Sequence, residues 1–171
     1  MKTIGISFGD SKIYFCVIEN NIIDNDKITP IDIAISFDDR LPLFSTKALH
    51  SKHCVCQLDE CDIVNHLNQM NTLYQTQHNY QNKLQFENGY EIWILLMKYI
   101  QEHIWKCLET TEQYNYIISL PELHTPNSRE YLTIACKMNN MNIKRIVTCD
   151  VCNILVVPLC GARPFIGGVA R

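Results

Sequence analysis

Between positions 50 and 66 the chain places His50, His53, Cys54, Cys56, Cys61 and His66, all within seventeen residues. Imidazole and thiolate are the ligands zinc prefers. His50-x2-His53 and Cys56-x4-Cys61 have loosely paired spacing, and Cys149-x2-Cys152 offers either a distant second ligand pair or a redox couple. Against both readings, the whole chain is rich in Cys, His and Asn, so such clusters arise by chance, and no thioredoxin-like order of elements surrounds Cys149. The expectation is no metal, with 50–66 a solvated polar segment carrying partly buried thiols. No phosphate-binding G-x4-G-K-[ST] loop, no H-E-x-x-H and no G-x-S-x-G occurs. The aromatic and apolar stripe Trp93, Met97, Trp105 and Leu108 reads as core packing rather than a ligand box.

These residues sit in a chain of 171 residues, the size of one domain with one core. Fifteen Lys and Arg against eighteen Asp and Glu leave a formal charge of −3, so no basic excess is available for a run of nucleic-acid phosphates. The apolar runs 92–97 and 154–160 are far shorter than the ~20 residues that span a bilayer. After Lys2, Asp10 and Lys12 interrupt any secretory leader. The expected setting is cytoplasmic, away from membranes, with the nine cysteines reduced.

Residues 3–8 alternate apolar with small or polar side chains. After the turn residues Gly9-Asp10-Ser11, the run 13–18 is rich in β-branched and aromatic groups, which predicts a β-hairpin. Asn20-Asn21 is a turn pair, and Ile22-Ile23 followed by Ile31, Ile33, Ile35 and Phe37 at a spacing of two predicts further strand. Three or four antiparallel strands thus open the chain. The stretch 47–86 shifts to Asn, Gln, His and Cys and reads as a polar, peripheral helical insertion. Ile92, Leu95, Leu96, Tyr99, Ile100, His103, Ile104 and Cys107 recur at three- and four-residue steps, predicting a helix over 90–109. A strand over 116–120 stopped by Pro121, a helix capped by Thr125 with Pro126 at its first position, and a strand over 143–147 complete the order. Local strands followed by helix, strand, helix, strand predict an α/β fold. Its sheet is mixed, with antiparallel N-terminal strands and parallel strands added by helical crossovers.

Three segments then resemble the first lobe of the actin-like, ribonuclease H-like ATPase fold, and within it the 70 kDa heat-shock (DnaK-type) chaperone family. IGISFGDSKIYFCVI is similar to that family's first phosphate loop between two strands. DDRLPLFSTKAL resembles its Arg-Leu segment before a helix bearing a catalytic Lys, with Arg40 and Lys47 seven apart. YIISLPELHTPNSREYLTIACKMNNMNIKRIV resembles its strand, Pro-containing loop, helix and next strand, with Pro121 and Arg129 eight apart.

The resemblance implies that Ser7, Gly9, Asp10, Ser11 and Lys12 wrap the terminal phosphates of ATP, with Gly9 supplying backbone freedom, and that Lys47 orients the attacking water. Ser7 stands where the family has an acidic residue near magnesium, and Asp10-Ser11 where it has two hydroxyl residues. A carboxylate beside phosphate repels it, and a lost carboxylate removes an acceptor for magnesium-bound water, so ATP and magnesium binding should be weak or lost and hydrolysis inefficient. Residues 1–150 would form the lobe, with the polar insertion near 48–86. Residues 151–171 would be a truncated crossover helix and tail, leaving the lobe face open for association. The implied role is protein folding in the stress response, with protein clients and a J-domain co-chaperone as partners. The alternative is a noncatalytic protein-interaction module, ordered by zinc at the 50–66 cluster.

Overall fold

The computed structural model describes residues 2–9, 12–36, 42–50, 55–57, 91–120 and 126–148. The chain opens with strands β1 (Thr3–Phe8), β2 (Lys12–Glu19) and β3 (Ile22–Asp24). β1 and β2 pair antiparallel from Thr3↔Ile18 to Phe8↔Ile13. Because side chains alternate across a strand, Ile4, Ile6 and Phe8 of β1 join Ile13, Phe15 and Val17 of β2 on one buried face. Asn20 and Asn21 turn β2 into β3 with φ of 52° and 63°, the left-handed pair a two-residue hairpin needs and Asn tolerates. Glu19 faces Ile22 across it.

The spacing-of-two run over 31–37 does not make one strand. β4 (Ile31–Asp32) pairs antiparallel with the start of β2, the ladder breaks at Ile33, and β5 (Ala34–Ser36) pairs instead with β6 (Leu43–Phe44) and β7 (Val55–Gln57) in a second, three-stranded sheet. Handing the run from one sheet to another buries both of its faces: Ile33, Ala34, Ile35 and Ser36 are all within the core. A short helix, α1 (Thr46–Leu49), follows β6. β7 also shows that the start of the 47–86 insertion is not wholly helical, since β5 offers an edge it can join. Most of that insertion, His53, Cys54, Cys61 and His66 of the Cys/His cluster, Asp10, Ser11, Pro121 and residues 149–171 lie outside the described residues, while Cys56 of the cluster falls in β7.

The second half is α2 (Glu91–Leu108), β8 (Asn115–Leu120), α3 (Pro126–Met138) and β9 (Asn142–Thr148). β8 adds parallel to β1, and β9 parallel to β8, giving the order β3-β2-β1-β8-β9. Among the described strands of this sheet, β2 alone runs against the rest. The molecule is therefore α/β with a mixed sheet of the expected construction. Tyr116 faces Ile143 and Ile117 faces Arg145, so Lys144 is the extra residue of a bulge in the β9 edge.

Helices α2 and α3 share the buried face of the sheet. Ile92, Trp93, Leu96, Met97, Ile100 and Ile104 of α2 and Leu132, Ala135 and Cys136 of α3 close over Ile4, Ile6, Phe8, Tyr116, Ile118 and Leu120. Trp93 meets Phe8 edge-on at 5.9 Å between ring centroids. The stripe read from the sequence is turned slightly: Trp93 and Met97 are fully buried, while Leu95, Tyr99 and Cys107 flank the core. A helix wedged between sheet and second helix needs an apolar arc wider than one contact demands. Trp105 and Leu108 also pack on this core, as the packing reading expected.

Both helices end in the same local device. Glu109 (φ 52°) and Asn140 (φ 55°) adopt left-handed backbone, letting Thr110 N–H donate to Trp105 O at 3.1 Å and Met141 N–H to Cys136 O at 2.9 Å. Carbonyls that would otherwise face nothing are satisfied. No helix among the described residues is long and apolar enough to cross a membrane.

Candidate functional site

Parallel strands bring their C-terminal ends to one edge of a sheet, and in open α/β sheets that edge is where ligands bind. Here the ends of β1, β8 and β9 coincide with the turn from β1 into β2. Ser7 is one residue from the end of β1, with Tyr14 opposite it on β2 and Ser119 on β8. All three lie on the face turned away from α2 and α3, because their neighbours Phe8, Ile13 and Leu120 point into the core.

Gly9 begins the turn. Its N–H donates to Lys12 O at 2.9 Å, closing the hairpin. A Cβ at this position would stand 3.0 Å from the Tyr14 ring and 3.1 Å from Lys12 O. Gly9 does not need a left-handed φ; it is needed for space, and its N–H is committed within the hairpin rather than presented outward. Lys12 leads into β2 with its ammonium 3.5 Å from the Asp32 carboxylate on β4, its partner in register. Both groups are roughly half exposed, so the pair is a solvated cross-strand contact that neutralises part of the charge Lys12 could offer a phosphate.

Ser119 is the residue sequence reading missed. It is 3% exposed, and its Oγ has no hydrogen-bond partner among the described residues. A buried hydroxyl left unmatched costs on the order of 1–3 kcal/mol, which makes it a place where an external acceptor gains most. The signal was a lone polar residue in the apolar run 116–120, immediately before Pro121. Among the described residues, Ser7 and Ser119 together present two hydroxyls and no carboxylate at the strand ends. That set suits phosphate oxygens and fits magnesium poorly.

Lys47 lies on α1 with its side chain exposed. α1 is set by Ser45, buried at 3%, whose N–H donates to Ala34 O at 2.8 Å and whose φ of 54° with ψ of −133° is a conformation normally left to glycine. Among the described residues no hydrogen bond or ion pair joins Lys47 to the β1–β2 hairpin. The structure thus brings Ser7, Gly9 and Lys12 to one sheet end, adds Ser119, and carries Lys47 on a separate element beside the second sheet. Asp10 and Ser11 fall outside the described residues.

No known protein-family model matches this chain, and no curated protein matches it either.

Proposed function

We propose that this chain is a nucleotide-binding lobe of the actin-like, ribonuclease H-like type. It would be diverged from the 70 kDa heat-shock chaperones, hold ATP weakly through its terminal phosphates and lack efficient hydrolysis. The supporting observation is the strand order β3-β2-β1-β8-β9 with β2 alone reversed, which sets a glycine-containing hairpin turn at the C-terminal ends of the parallel strands. The three ordered sequence segments described above point to the same family. In this reading Ser7 and Ser119 hydrogen-bond phosphate oxygens, Gly9 lets the ligand approach the turn, and Lys47 contributes positive charge from α1. With no carboxylate at Ser7 to hold magnesium-bound water, attack on the terminal phosphate goes unassisted. The chain would serve protein folding in the cytoplasm, with protein clients and a J-domain co-chaperone.

Isothermal calorimetry with ATP and magnesium tests the reading. A dissociation constant around 1 mM is expected, the weak end of specific binding, with a several-fold loss in Ser119→Val and Lys47→Ala. Phosphate release should not rise above the rate without protein. Absence of binding heat with folded wild-type protein overturns the nucleotide-binding claim.

A further inference from the structure

The edge of β2 that faces away from β1 is only partly taken. β3 pairs with Val17, Ile18 and Glu19, and β4 pairs with Lys12 and Ile13, so residues 14–16 have no strand beside them on that side. Main-chain groups of a strand turn alternately to its two edges, and Glu19, which closes the two-residue Asn20-Asn21 hairpin, bonds toward β3. Phe15, at an even step from Glu19, therefore turns its N–H and C=O to the same side, where the ladder passes it over.

The segment joining β3 to β4 arches across this gap and borders a cavity of about 350 Å³, within the size range of small-molecule sites. Three contacts fix the arch. The Asp26 N–H donates to Asp24 Oδ1 at 3.1 Å, Ile28 is buried in the core, and the Thr29 carbonyl accepts from His103 Nε2 of α2 at 2.8 Å. A wall held in place beforehand loses little freedom when a ligand arrives.

The lining decides what enters. Tyr14, Phe15, Ile28 and Pro30 contribute aromatic and apolar surface, and Tyr14 is 40% exposed. Charge comes from Asp26, which also lines the cavity. The lysines that could neutralise it are engaged elsewhere, Lys27 with Asp24 at 3.4 Å and Lys12 with Asp32 at 3.5 Å, and among the described residues no ion pair reaches Asp26. An anion would meet a carboxylate with no cation lining the cavity to offset it. A cation meets a carboxylate, a main-chain carbonyl that accepts its N–H, and an aromatic side chain that attracts positive charge.

We propose that this cavity binds a small organic cation, a primary ammonium or guanidinium carried on an apolar body. The cationic head pairs with the Asp26 carboxylate and donates to the Phe15 carbonyl, while the body lies against Ile28 and Pro30. Asp26 is exposed, so its attraction is modest and sets the sign of charge accepted, whereas the apolar walls supply most of the affinity.

Phenethylammonium is the probe, titrated into folded, isotope-labelled protein and followed by amide chemical shifts. Phenethyl alcohol and phenylacetate serve beside it, similar in shape but neutral and negative. Shifts at Phe15 and from Asp26 to Thr29 should saturate with phenethylammonium at a dissociation constant of about 1 mM. Phenethyl alcohol should bind about threefold or more weakly, and phenylacetate should not saturate. Asp26→Asn, a change at an exposed side chain, should weaken phenethylammonium about three- to fivefold, the range of an exposed ion pair, and leave phenethyl alcohol unchanged. Equal affinity for all three probes overturns the proposal, as does an unchanged phenethylammonium affinity in Asp26→Asn or saturating shifts confined to other residues.

Discussion

Gly5 sits mid-strand in β1, opposite Cys16 on β2, and a Cβ built on it would overlap the Cys16 sulfur. Glycine in a strand costs backbone entropy, so its presence here reflects the volume that the buried Cys16 side chain occupies across the ladder. Gly5→Ala should therefore destabilise the protein by about 1–3 kcal/mol, the ordinary range for overpacking. Adding Cys16→Ala should recover part of that loss, because the two changes act on one volume. Denaturant melts of the two single variants and the double variant measure the coupling; strict additivity would remove the explanation. None of this was legible beforehand: the sequence shows a glycine in an apolar–polar alternation, whereas the reason for it is a side chain eleven positions away. Ser119 was hidden for a related reason, since a run read by its apolar majority conceals a hydroxyl that the fold leaves unmatched.

Elements were far more legible than individual contacts, because periodicity and turn chemistry act locally. The β1–β2 hairpin, the Asn20-Asn21 turn, the long helix, the strand stopped before Pro121 and the last helix and strand follow from residue order alone. The run over 31–37 defeated this reading: a spacing of two is equally satisfied by one strand or by two half-strands in different sheets, and only tertiary pairing chooses. What ties α2 to α3 was also beyond reach. Asn139, at the end of α3, donates from Nδ2 to Ile94 O at 2.9 Å and to Ala135 O at 2.8 Å, while Gln101 Nε2 donates to Asn139 O at 3.2 Å. One side chain thus closes its own helix and clamps the neighbouring one. Asn139→Ala should cost about 1–2 kcal/mol, near the upper end for lost hydrogen bonds because two carbonyls lose a donor in a part-buried position. Chemical denaturation measures it, and a cost below ~0.5 kcal/mol would show that water replaces the amide.

For the whole molecule, the buried face carries two acids that burial keeps neutral. Loss of hydration pushes the Tyr116 hydroxyl up to about 12, with Gln101 pulling the other way, and pushes the Cys136 thiol up to about 12. Unfolded, they titrate near 10 and 8.5 respectively. Between those values and pH ~12 the folded chain binds more protons than the unfolded one, so stability falls as pH rises through that window, while below pH ~7, well under both unfolded values, neither group contributes appreciable slope. Unfolding midpoints measured from pH 8 to 11 should decline, and less steeply in Cys136→Ala; a flat profile would mean that both groups are hydrated in the folded state. The parallel join between β1 and β8 carries a different implication, one of timing. Thr3 pairs with Asn115, so the first strand emerges from the ribosome about 110 residues ahead of its neighbour, which at 5–20 residues per second is a wait of roughly 5–20 seconds. Through that interval the hairpin carries a bare ladder of main-chain amides and carbonyls along one side. The nascent polypeptide is most prone to mispairing until β8 has been translated.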